Sequence, residues 1–293
     1  MLRRDAGTLV AAPREGGMCR WIGYRGDPIA PRVLLYEPER SLIAQSVKHA
    51  PELLEPNGDG TGLGWYDRRK TPAVFRSDSP AWGDENLREL ADEVCSPLFL
   101  AHVRAGTGTP VQKTNCHPFR YREWLFVHNG YVAGFESIRR ELLMAVRPDL
   151  FSNIKGSTDS EVIFHLALTF GLEKDPLGGL ERMAGFVESV GAAAGIAEPL
   201  QMTVGLTDGE TLFAARYASG PVVNTLYMSE DVDAIRMLYP EHERLRRVPD
   251  HARAVLSEPL SELPGVWHEI PPSTALVVTD MPHDITFHPQ PPG

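Results

Sequence analysis

The sequence predicts an α+β fold of layered sheets and helices, and three observations support this. Short apolar runs bounded by turn residues recur between residues 19 and 128 and again after residue 200, as β-strands do. Amphipathic helical patterns lie mostly between these two groups of strands. The chain lacks the strict strand–helix alternation of a doubly wound parallel sheet, which favours an α+β domain.

The individual elements follow from these patterns. Strands are predicted at 19–24, 63–66, 73–76, 98–104, 124–128, 201–206, 211–217, 223–228, 252–256 and 274–278. Helices are predicted at 135–146, 159–170 and 180–190. Ser157 or Thr158 is the candidate N-cap of the second helix, because a hydroxyl there can accept a bond from a free backbone N–H.

The organisation of the chain is predicted to be simple. We expect one domain over residues 19–287 and a tail at 288–293, which is rich in proline. Residues 1–18 are interpreted as an extension that is removed or not translated, because the strand pattern starts abruptly at Cys19.

The composition limits the kinds of partner. The 293 residues carry a net charge of −10, which argues against a broad basic surface for nucleic acid or acidic lipid and favours a small polar substrate. No run approaches the roughly 18 apolar residues that a membrane helix needs. Three cysteines at irregular spacings fit a reducing compartment better than a disulfide framework. We therefore expect a cytoplasmic protein, and we expect no metal and no cofactor.

Cys19 is the candidate nucleophile. It follows Met18 directly, and removal of that methionine would leave a thiol and a free α-amine on one residue. An α-amine with a pKa near 8 is partly neutral at pH 7, so it can take the thiol proton and replace a histidine base. A cysteine in the first strand of a domain is also often a small buried apolar residue, so the pair Met-Cys needs support from other motifs.

Three further motifs supply polar groups at the ends of predicted elements. Arg104 and Thr107 follow a strand, where a guanidinium and a hydroxyl suit a carboxylate. The pair Asn129-Gly130 ends an apolar strand, where the amide and a backbone N–H could form an oxyanion hole, although Asn-Gly is also a strong hairpin signal. Asp159 opens a helix, where it could bind an ammonium group or complement the helix dipole.

Together these parts can hold glutamine by its amino-acid end and cleave its side-chain amide. Met-Cys, His-x-Arg-x-x-Thr, His-Asn-Gly and Thr-Asp-Ser-Glu, in this order, resemble the class II glutamine amidotransferase domain. The resemblance is strong from Cys19 to about Gly171. The closing segments around residues 254–260 and 267–272 are similar to the stand-alone members of that family, which include γ-glutamyl hydrolases such as the ergothioneine-pathway amidohydrolase.

The resemblance implies a four-layered αββα N-terminal-nucleophile hydrolase fold and a set of roles. Cys19 would be the nucleophile, and Asn129 with Gly130 would form the oxyanion hole. The groups that bind the amino-acid end of the substrate would be Arg104, Thr107 and Asp159. The strand with Gly64 and Trp65 is similar to a glycine-bearing strand that lines the same pocket in the family.

The chain also departs from the large synthases of the family. They usually carry Arg-Trp-Ala-Thr where this chain has Arg104-Ala105-Gly106-Thr107, so a different or wider pocket rim is expected. The residues after Asp159 are too few for the acceptor domain of a synthase. The expected reaction is the hydrolysis of a γ-glutamyl amide through a Cys19 thioester. Two alternatives stay open: a glutaminase subunit that passes ammonia to a separate synthase partner, and a non-catalytic binding module.

Other uses of the same residues are less favoured. His102, Cys116, His117, His128 and Asp159 could be drawn as a zinc site, but no two of them have a zinc-site spacing. Cys116 and His117 could be drawn as a nucleophile and its base, but neighbours on an extended chain point to opposite faces. His102 and His117 are expected to be packed supports of the pocket.

Overall fold

Most of the chain after Met18 is described by a computed structural model, which covers residues 19–47, 57–106, 109–241, 243 and 248–293. Thirteen strands lie in this part. They are β1 (Arg20–Ile29), β2 (Thr61–Trp65), β3 (Ala73–Ser77), β4 (Ser96–Val103), β5 (Phe119–Tyr121), β6 (Trp124–Val132), β7 (Leu200–Thr207), β8 (Leu212–Ala218), β9 (Tyr227–Ser229), β10 (Arg253–Leu256), β11 (Trp267–Glu269), β12 (Thr274–Val278) and β13 (His283–Thr286).

Eight α-helices lie in the same part of the chain. They are α1 (Arg32–Leu35), α2 (Leu42–Val47), α3 (Glu85–Glu93), α4 (Phe135–Ala145), α5 (Pro148–Phe151), α6 (Asp159–Thr169), α7 (Pro176–Ala193) and α8 (Val232–Leu238). None of the helices in these described ranges is long and apolar enough to cross a membrane.

The strands form two antiparallel sheets. Sheet A has seven strands in the order β11-β9-β10-β1-β4-β2-β3, and sheet B has six in the order β13-β12-β8-β7-β6-β5. Side chains alternate between the faces of a strand, so each sheet presents one face to the other sheet and one face to helices. In β1, Trp21 points towards sheet B, while Ile22 and Tyr24 point away from it.

Three clusters of apolar side chains join the resulting four layers. Between the sheets lie Trp21, Leu100, Leu125 and Leu276, among others. A second cluster packs the outer face of sheet A against α1, α2, α3 and α8. A third packs the outer face of sheet B against α4, α6 and α7. The architecture is therefore helices, sheet, sheet, helices, which confirms the expected αββα arrangement.

The predicted helices and most predicted strands are present, with different ends. The N-cap of α6 is Thr158, whose hydroxyl accepts a bond from the N–H of Glu161 at 3.2 Å. Helix α7 begins earlier than predicted, at Pro176, because Asp175 caps it by accepting from the N–H of Gly178. The sequence patterns did not predict the helices α1, α2, α3, α5 and α8 or the strands β5, β11 and β13; except for α3, with nine residues, they are too short to show a clear periodicity.

Two expectations about individual segments need correction or qualification. Of the strand predicted at 223–228, only the end is extended in a sheet, because β9 pairs with β10 from Tyr227 onward. The residues before it form a loop that contacts the end of sheet B. The predicted tail at 288–293 lies along α7, where the N–H groups of His288 and Gln290 donate to Glu181.

Candidate active site

Cys19 lies immediately before β1, on the same side of the chain as the inward-facing Trp21. The residue is half-buried, and its sulfur contacts the loop that follows β4. The N–H of Ala105 donates to Cys19 Sγ at 3.4 Å, and the thiol lies 3.5 Å from the Ala105 carbonyl oxygen. Because β1 and β4 are neighbours, with Arg20 opposite Val103, the sheet itself brings Cys19 to this loop.

The surroundings of the thiol oppose its ionisation. Burial raises the pKa of Cys19 above its ordinary value, and nearby Asp159 and Asp59 act in the same direction. The Ala105 N–H and the Arg104 guanidinium lower that pKa but only in part. Cys19 is therefore a protonated thiol near neutral pH, and it needs a base before it can act as a nucleophile.

Arg104 is buried at the end of β4, with its guanidinium turned into the loop. Nη1 donates to the carbonyl of Asp59 at 3.1 Å, and Nη2 donates to the carbonyl of Thr109 at 3.4 Å and to its hydroxyl. A guanidinium has five N–H donors, so further donors are available to a ligand. Thr107, the other predicted carboxylate-binding residue, lies outside the described residues.

Asp59 holds the same loop from the other side. Its carboxylate accepts a bond from the N–H of Gly106 at 2.6 Å, and its own N–H donates to the carbonyl of Arg104 at 3.2 Å. A Cβ atom at Gly106 would lie 2.8 Å from Arg104 Nη2, so a side chain there would displace the guanidinium. The small residue at position 106 therefore lets the loop close over Arg104.

Asn129 and Gly130 lie inside β6 and are not a hairpin turn, so that alternative is wrong. Gly130 has φ 154°, and a Cβ atom there would lie 2.0 Å from the carbonyl oxygen of Gln201 on β7. No residue with a side chain fits that position without moving the strand. Asn129 is 4% exposed, and Thr203 lies opposite it on β7.

The hydrogen bond of Val132 indicates where the backbone N–H of Gly130 points. Val132 N–H donates to Asp159 Oδ2 at 2.8 Å rather than to β7. In a strand, the N–H groups of residues i and i+2 point to the same edge. The Gly130 N–H therefore points to the edge of β6 where Asp159 lies, which is the edge that faces Cys19 and Arg104 across a cavity.

Asp159 is the first residue of α6. Its Oδ2 accepts the bond from Val132 N–H, and its Oδ1 accepts from the N–H of Ser160 at 2.7 Å. The Ser160 hydroxyl also donates to Oδ1 at 3.3 Å, whereas Oδ2 accepts one bond and keeps a lone pair for another donor. Asp159 therefore joins β6 to α6 and keeps acceptor capacity for a ligand.

His128 lies behind this carboxylate. Its Nδ1 lies 2.8 Å from Ser160 Oγ, and its Nε2 lies 3.4 Å from the carbonyl oxygen of Gln201. Burial lowers the pKa of His128, although Asp159 acts in the opposite direction. A neutral His128 adds no positive charge that would compete for the Asp159 carboxylate.

A cavity of about 430 Å³ lies between the start of β1, the loop after β4, the end of β6 and the start of α6. The predicted residues that line it are Cys19, Arg104, Gly130 and Asp159. Asn129 precedes Gly130 in β6 and is not among the residues that line the cavity; its side chain is in the same inward-facing row as Thr203. The geometry thus gathers a thiol, a guanidinium, a carboxylate and a backbone N–H around a space large enough for a small amino-acid substrate.

Gly64 and Trp65 do not line this cavity, and that expectation is corrected. A Cβ atom at Gly64 would lie 2.8 Å from Leu125, so the residue serves the close approach of the two sheets. Trp65 alternates to the other face of β2 and packs against the outer cluster of sheet A. The strand β2 supports β4 in the sheet, because Leu63 lies opposite Ala101.

The other thiols and imidazoles have structural environments. Burial raises the pKa of Cys116 to about 11, and its Sγ lies 3.2 Å from the carbonyl oxygen of Ser77. The His102 and His117 rings stack at 4.1 Å, and burial lowers the pKa of His102 to about 3 and that of His117 well below its usual value. Cys95 is exposed, in the connection between α3 and β4.

Solved structures with a similar fold identify the fold class of the chain. A glutamine phosphoribosylpyrophosphate amidotransferase from B. subtilis aligns with 92% of this chain and 49% of its own, with a TM-score of 0.58 and 17% identity. At that identity, the match shows the fold alone. The chain thus has the fold of an N-terminal-nucleophile amidotransferase domain.

The sequence then places the chain in a family. The model for glutamine amidotransferases class-II matches residues 42–280, so the chain belongs to the class II glutamine amidotransferases. Cys19 lies before the matched range. The "Probable glutamine amidotransferase DUG3" of Saccharomyces cerevisiae is 32% identical over 93% of this chain and 84% of its own. A class-II domain protein from Silicibacter pomeroyi is 35% identical with a TM-score of 0.71 and covers 93% of this chain and 100% of its own.

A third relative carries a hydrolase name. The "Gamma-glutamyl-hercynylcysteine sulfoxide hydrolase" of Mycolicibacterium smegmatis is 35% identical over 119 residues, which cover 39% of this chain and 52% of that relative. The match therefore extends over about half of the hydrolase.

Several residues of the site had no signal in the sequence that singled them out. Asp59 and Thr109 hold Arg104, and Asn224 contacts Asn129 from the loop before β9. Asp59 and Asn224 are 47 and 95 positions from the groups that they bind, Gly106 and Asn129. Ser160 lies within the Thr-Asp-Ser-Glu motif, so a closer examination of that motif could have found it.

Proposed function

We propose that this protein hydrolyses a γ-glutamyl amide or γ-glutamyl peptide through a thioester on Cys19. The observation that carries the proposal is the cavity that Cys19, Arg104, Gly130 and Asp159 line together. A thiol stands at one end of this cavity, and a guanidinium and a carboxylate are available for the two charged groups of an amino acid. The hydrolase name of the Mycolicibacterium smegmatis relative supports the same reaction.

The reaction begins with a proton transfer. The thiol is protonated near neutral pH, because burial raises its pKa. With Cys19 as the first residue, its neutral α-amine takes the thiol proton, and the thiolate attacks the γ-carbonyl carbon of the substrate. The C=O electron pair moves onto oxygen, where the Asn129 amide and the Gly130 N–H stabilise the negative charge.

The second half releases the products. The C–N bond of the tetrahedral intermediate breaks, and the α-ammonium of Cys19 returns its proton to the leaving amine. A thioester between Cys19 and the glutamyl group remains. Water, activated by the same amine, adds to the thioester, and the C–S bond breaks to give glutamate and the free thiol.

The amino-acid end of the substrate accounts for the other two groups. Arg104 pairs with the α-carboxylate through the donors that its contacts with Asp59 and Thr109 leave unused. Asp159 accepts from the α-ammonium group with the lone pairs that Val132 and Ser160 leave unused. This arrangement selects an L-glutamyl group and leaves the amine side of the amide unspecified.

A second candidate is a glutaminase subunit that passes ammonia to a separate synthase partner. The name of the yeast relative, a probable glutamine amidotransferase, favours this alternative. The two candidates share the chemistry up to the thioester and differ in the leaving group. They are separated by comparing kcat/KM for glutamine with kcat/KM for γ-glutamyl dipeptides and tripeptides.

The test uses two forms of the protein, one that begins at Cys19 and one that retains residues 1–18. Intact mass establishes the first residue of each, and glutamate release is measured with glutamine and γ-glutamyl peptides. We expect activity only from the form that begins at Cys19, because a peptide bond to Met18 turns the amine into an amide that cannot act as a base.

Variants then assign the nucleophile. Cys19→Ala should lower kcat by at least about 10⁴-fold and still bind glutamate, while the matched variant of the exposed cysteine, Cys95→Ser, should keep full activity. Activity in Cys19→Ala would remove Cys19 from the mechanism. Activity with residues 1–18 attached would require a base other than the α-amine.

A further inference from the structure

We propose that Asn224 is a positioning residue of the oxyanion hole: it holds the Asn129 amide with its N–H groups turned towards the substrate. The inference rests on the proposed function, because an oxyanion forms only if the amide is cleaved. Asn224 lies in the loop before β9, it is half-buried, and it is not among the residues that line the cavity. Its link to the oxyanion hole is its contact with Asn129.

The contact between the two amides is directional. Asn224 Nδ2 donates to Asn129 Oδ1 at 3.2 Å and to the Asn129 backbone carbonyl at 3.4 Å. With its oxygen engaged in this way, Asn129 presents Nδ2 on the opposite side. Within the described part of the chain, the hydrogen bonds to Asn129 from other side chains all engage its two oxygens and leave Nδ2 to a ligand. An available donor at this position is what an oxyanion needs.

Asn224 is itself held in place by sheet B. Arg216 of β8 is buried, and its Nε donates to the carbonyl oxygen of Asn224 at 2.8 Å. Its Nη1 donates to the Glu269 carboxylate at 2.8 Å and to the Ile270 carbonyl oxygen. A planar guanidinium with three such acceptors fixes the loop that carries Asn224.

The register of the sheet brings the partners into one row. Asn129 lies opposite Thr203, and Thr203 lies opposite Arg216, so the three side chains share one face of sheet B. This face points to sheet A, because Trp21 Nε1 donates to Thr203 Oγ1 at 3.2 Å. Thr203 Oγ1 in turn donates to the Asn129 carbonyl at 3.4 Å. Asn224 adds the contact that distinguishes the two ends of the Asn129 amide.

The orientation of that amide decides whether it helps or hinders the reaction. With Nδ2 towards the substrate, Asn129 donates to the developing oxyanion. After rotation by 180°, Oδ1 would face the oxyanion, and two negative oxygens would oppose each other. A group that fixes the orientation should therefore change kcat, which reports the transition state, and leave KM nearly unchanged.

The experiment compares three substitutions of Asn224 in the protein that begins at Cys19. Asn224→Leu and Asn224→Ala remove the donor, and we expect kcat to fall about tenfold with KM within about twofold. Asn224→Asp keeps the shape but offers only acceptors, so it should draw Asn129 Nδ2 towards itself and lower kcat about 100-fold. Val222→Ala, whose side chain is exposed in the same loop, is the matched control and should have full activity.

A double-mutant cycle separates orientation from a direct effect of charge. In an Asn129→Ala background no amide remains to be turned, so adding Asn224→Asp should change kcat by less than about twofold. A further large loss in that background would overturn the proposal, because the carboxylate would then act on the oxyanion directly. An Asn224→Asp enzyme as active as Asn224→Leu would also overturn it.

Two measurements keep these outcomes interpretable. Thermal unfolding and the rate at which iodoacetamide alkylates Cys19, which needs no oxyanion hole, should match the wild-type protein in every variant.

If Asn224→Asp does not fold, a KM increase in Asn224→Leu with unchanged kcat would contradict the proposal. If the wild-type protein cleaves no γ-glutamyl amide, the proposed function fails and this inference fails with it, whereas an active wild type with unaffected Asn224 variants overturns only the inference.

Discussion

The two sides of the cavity are built in different ways. On the side of sheet B, Asn129 and Gly130 lie within β6, and their positions follow from its pairing with β7. On the side of sheet A, Arg104 is the first residue beyond β4, and it is held by the loop that it belongs to and by Asp59. The site residues on one side belong to a paired strand, and those on the other side belong to a loop held by individual hydrogen bonds.

The difference matches what each side has to do. Stabilising an oxyanion requires donors that are already oriented, because reorientation during the reaction would cost the energy that it should supply. Binding a carboxylate tolerates adjustment, because Arg104 can exchange its contacts with Thr109 for contacts with the substrate. We therefore expect changes on the sheet side to affect kcat and changes on the loop side to affect KM.

The largest effect expected from this comparison is that of Asn129→Ala. Loss of one oxyanion donor should lower kcat by about 10²–10³-fold and leave KM nearly unchanged. Steady-state kinetics of glutamate release measures both, and Asn153→Ala, at an exposed asparagine, serves as the control. An equal loss confined to KM would show that the sheet side binds the substrate and does not stabilise the transition state.

Arg104→Met should have the next largest effect, on KM. Removing a buried guanidinium that pairs with a carboxylate costs about 2 kcal/mol or more, which corresponds to a KM roughly 30-fold higher. Arg122→Met is a matched control, because Arg122 is exposed and pairs with Glu173 on the surface. Titration with glutamate gives the same comparison without turnover, and unchanged glutamate affinity would contradict the role of Arg104.

The contact between the two sheets, from His102 on β4 to His128 on β6, should also be sensitive to acid. His102 Nε2 donates to the carbonyl of His128 at 3.2 Å, and burial lowers the pKa of His102 to about 3 in the folded protein, from about 6.5 when unfolded. Below pH 6.5 the unfolded state binds a proton that the folded state does not. Stability should therefore fall as pH falls from 6.5 to 3, by about 1.4 kcal/mol per pH unit from His102 alone.

Urea unfolding at pH 5 and pH 7 checks this prediction. His102→Gln keeps a donor for the His128 carbonyl but cannot be protonated, so its stability should depend less on pH than that of the wild-type protein. Equal pH dependence in the two proteins would mean that His102 is protonated in both the folded and the unfolded state at pH 5.

Thr109→Val should give the smallest effect. The Thr109 hydroxyl accepts a bond from Arg104 Nη2, and its loss leaves Asp59 and the Thr109 carbonyl to hold the guanidinium. We expect KM to rise about fivefold, corresponding to about 1 kcal/mol, with kcat unchanged. Val111→Ala, at an exposed position of the same loop, should have no effect. A fall in kcat instead would end the distinction between the two sides.

The sequence by itself determined the class of fold and the chemical parts of the site. Strand and helix periodicity is a local property, so β6, α4 and α6 could be predicted within a few residues. The motifs around Arg104, Asn129 and Asp159 were visible because each combines a strand end or helix start with a polar group. Cys19 stood out because it follows a methionine.

The tertiary structure alone decided how these parts are held. Whether Asn-Gly is a turn or part of a strand depends on pairing with β7, which lies about 70 residues further along the chain. The same applies to Gly64, where the approach of Leu125 replaces the expected contact with the cavity. Asn224 contacts Asn129 only because the register of β6, β7 and β8 brings the loop before β9 to that place. Such contacts depend on sheet order and register between distant segments, and local sequence patterns carry no information about either.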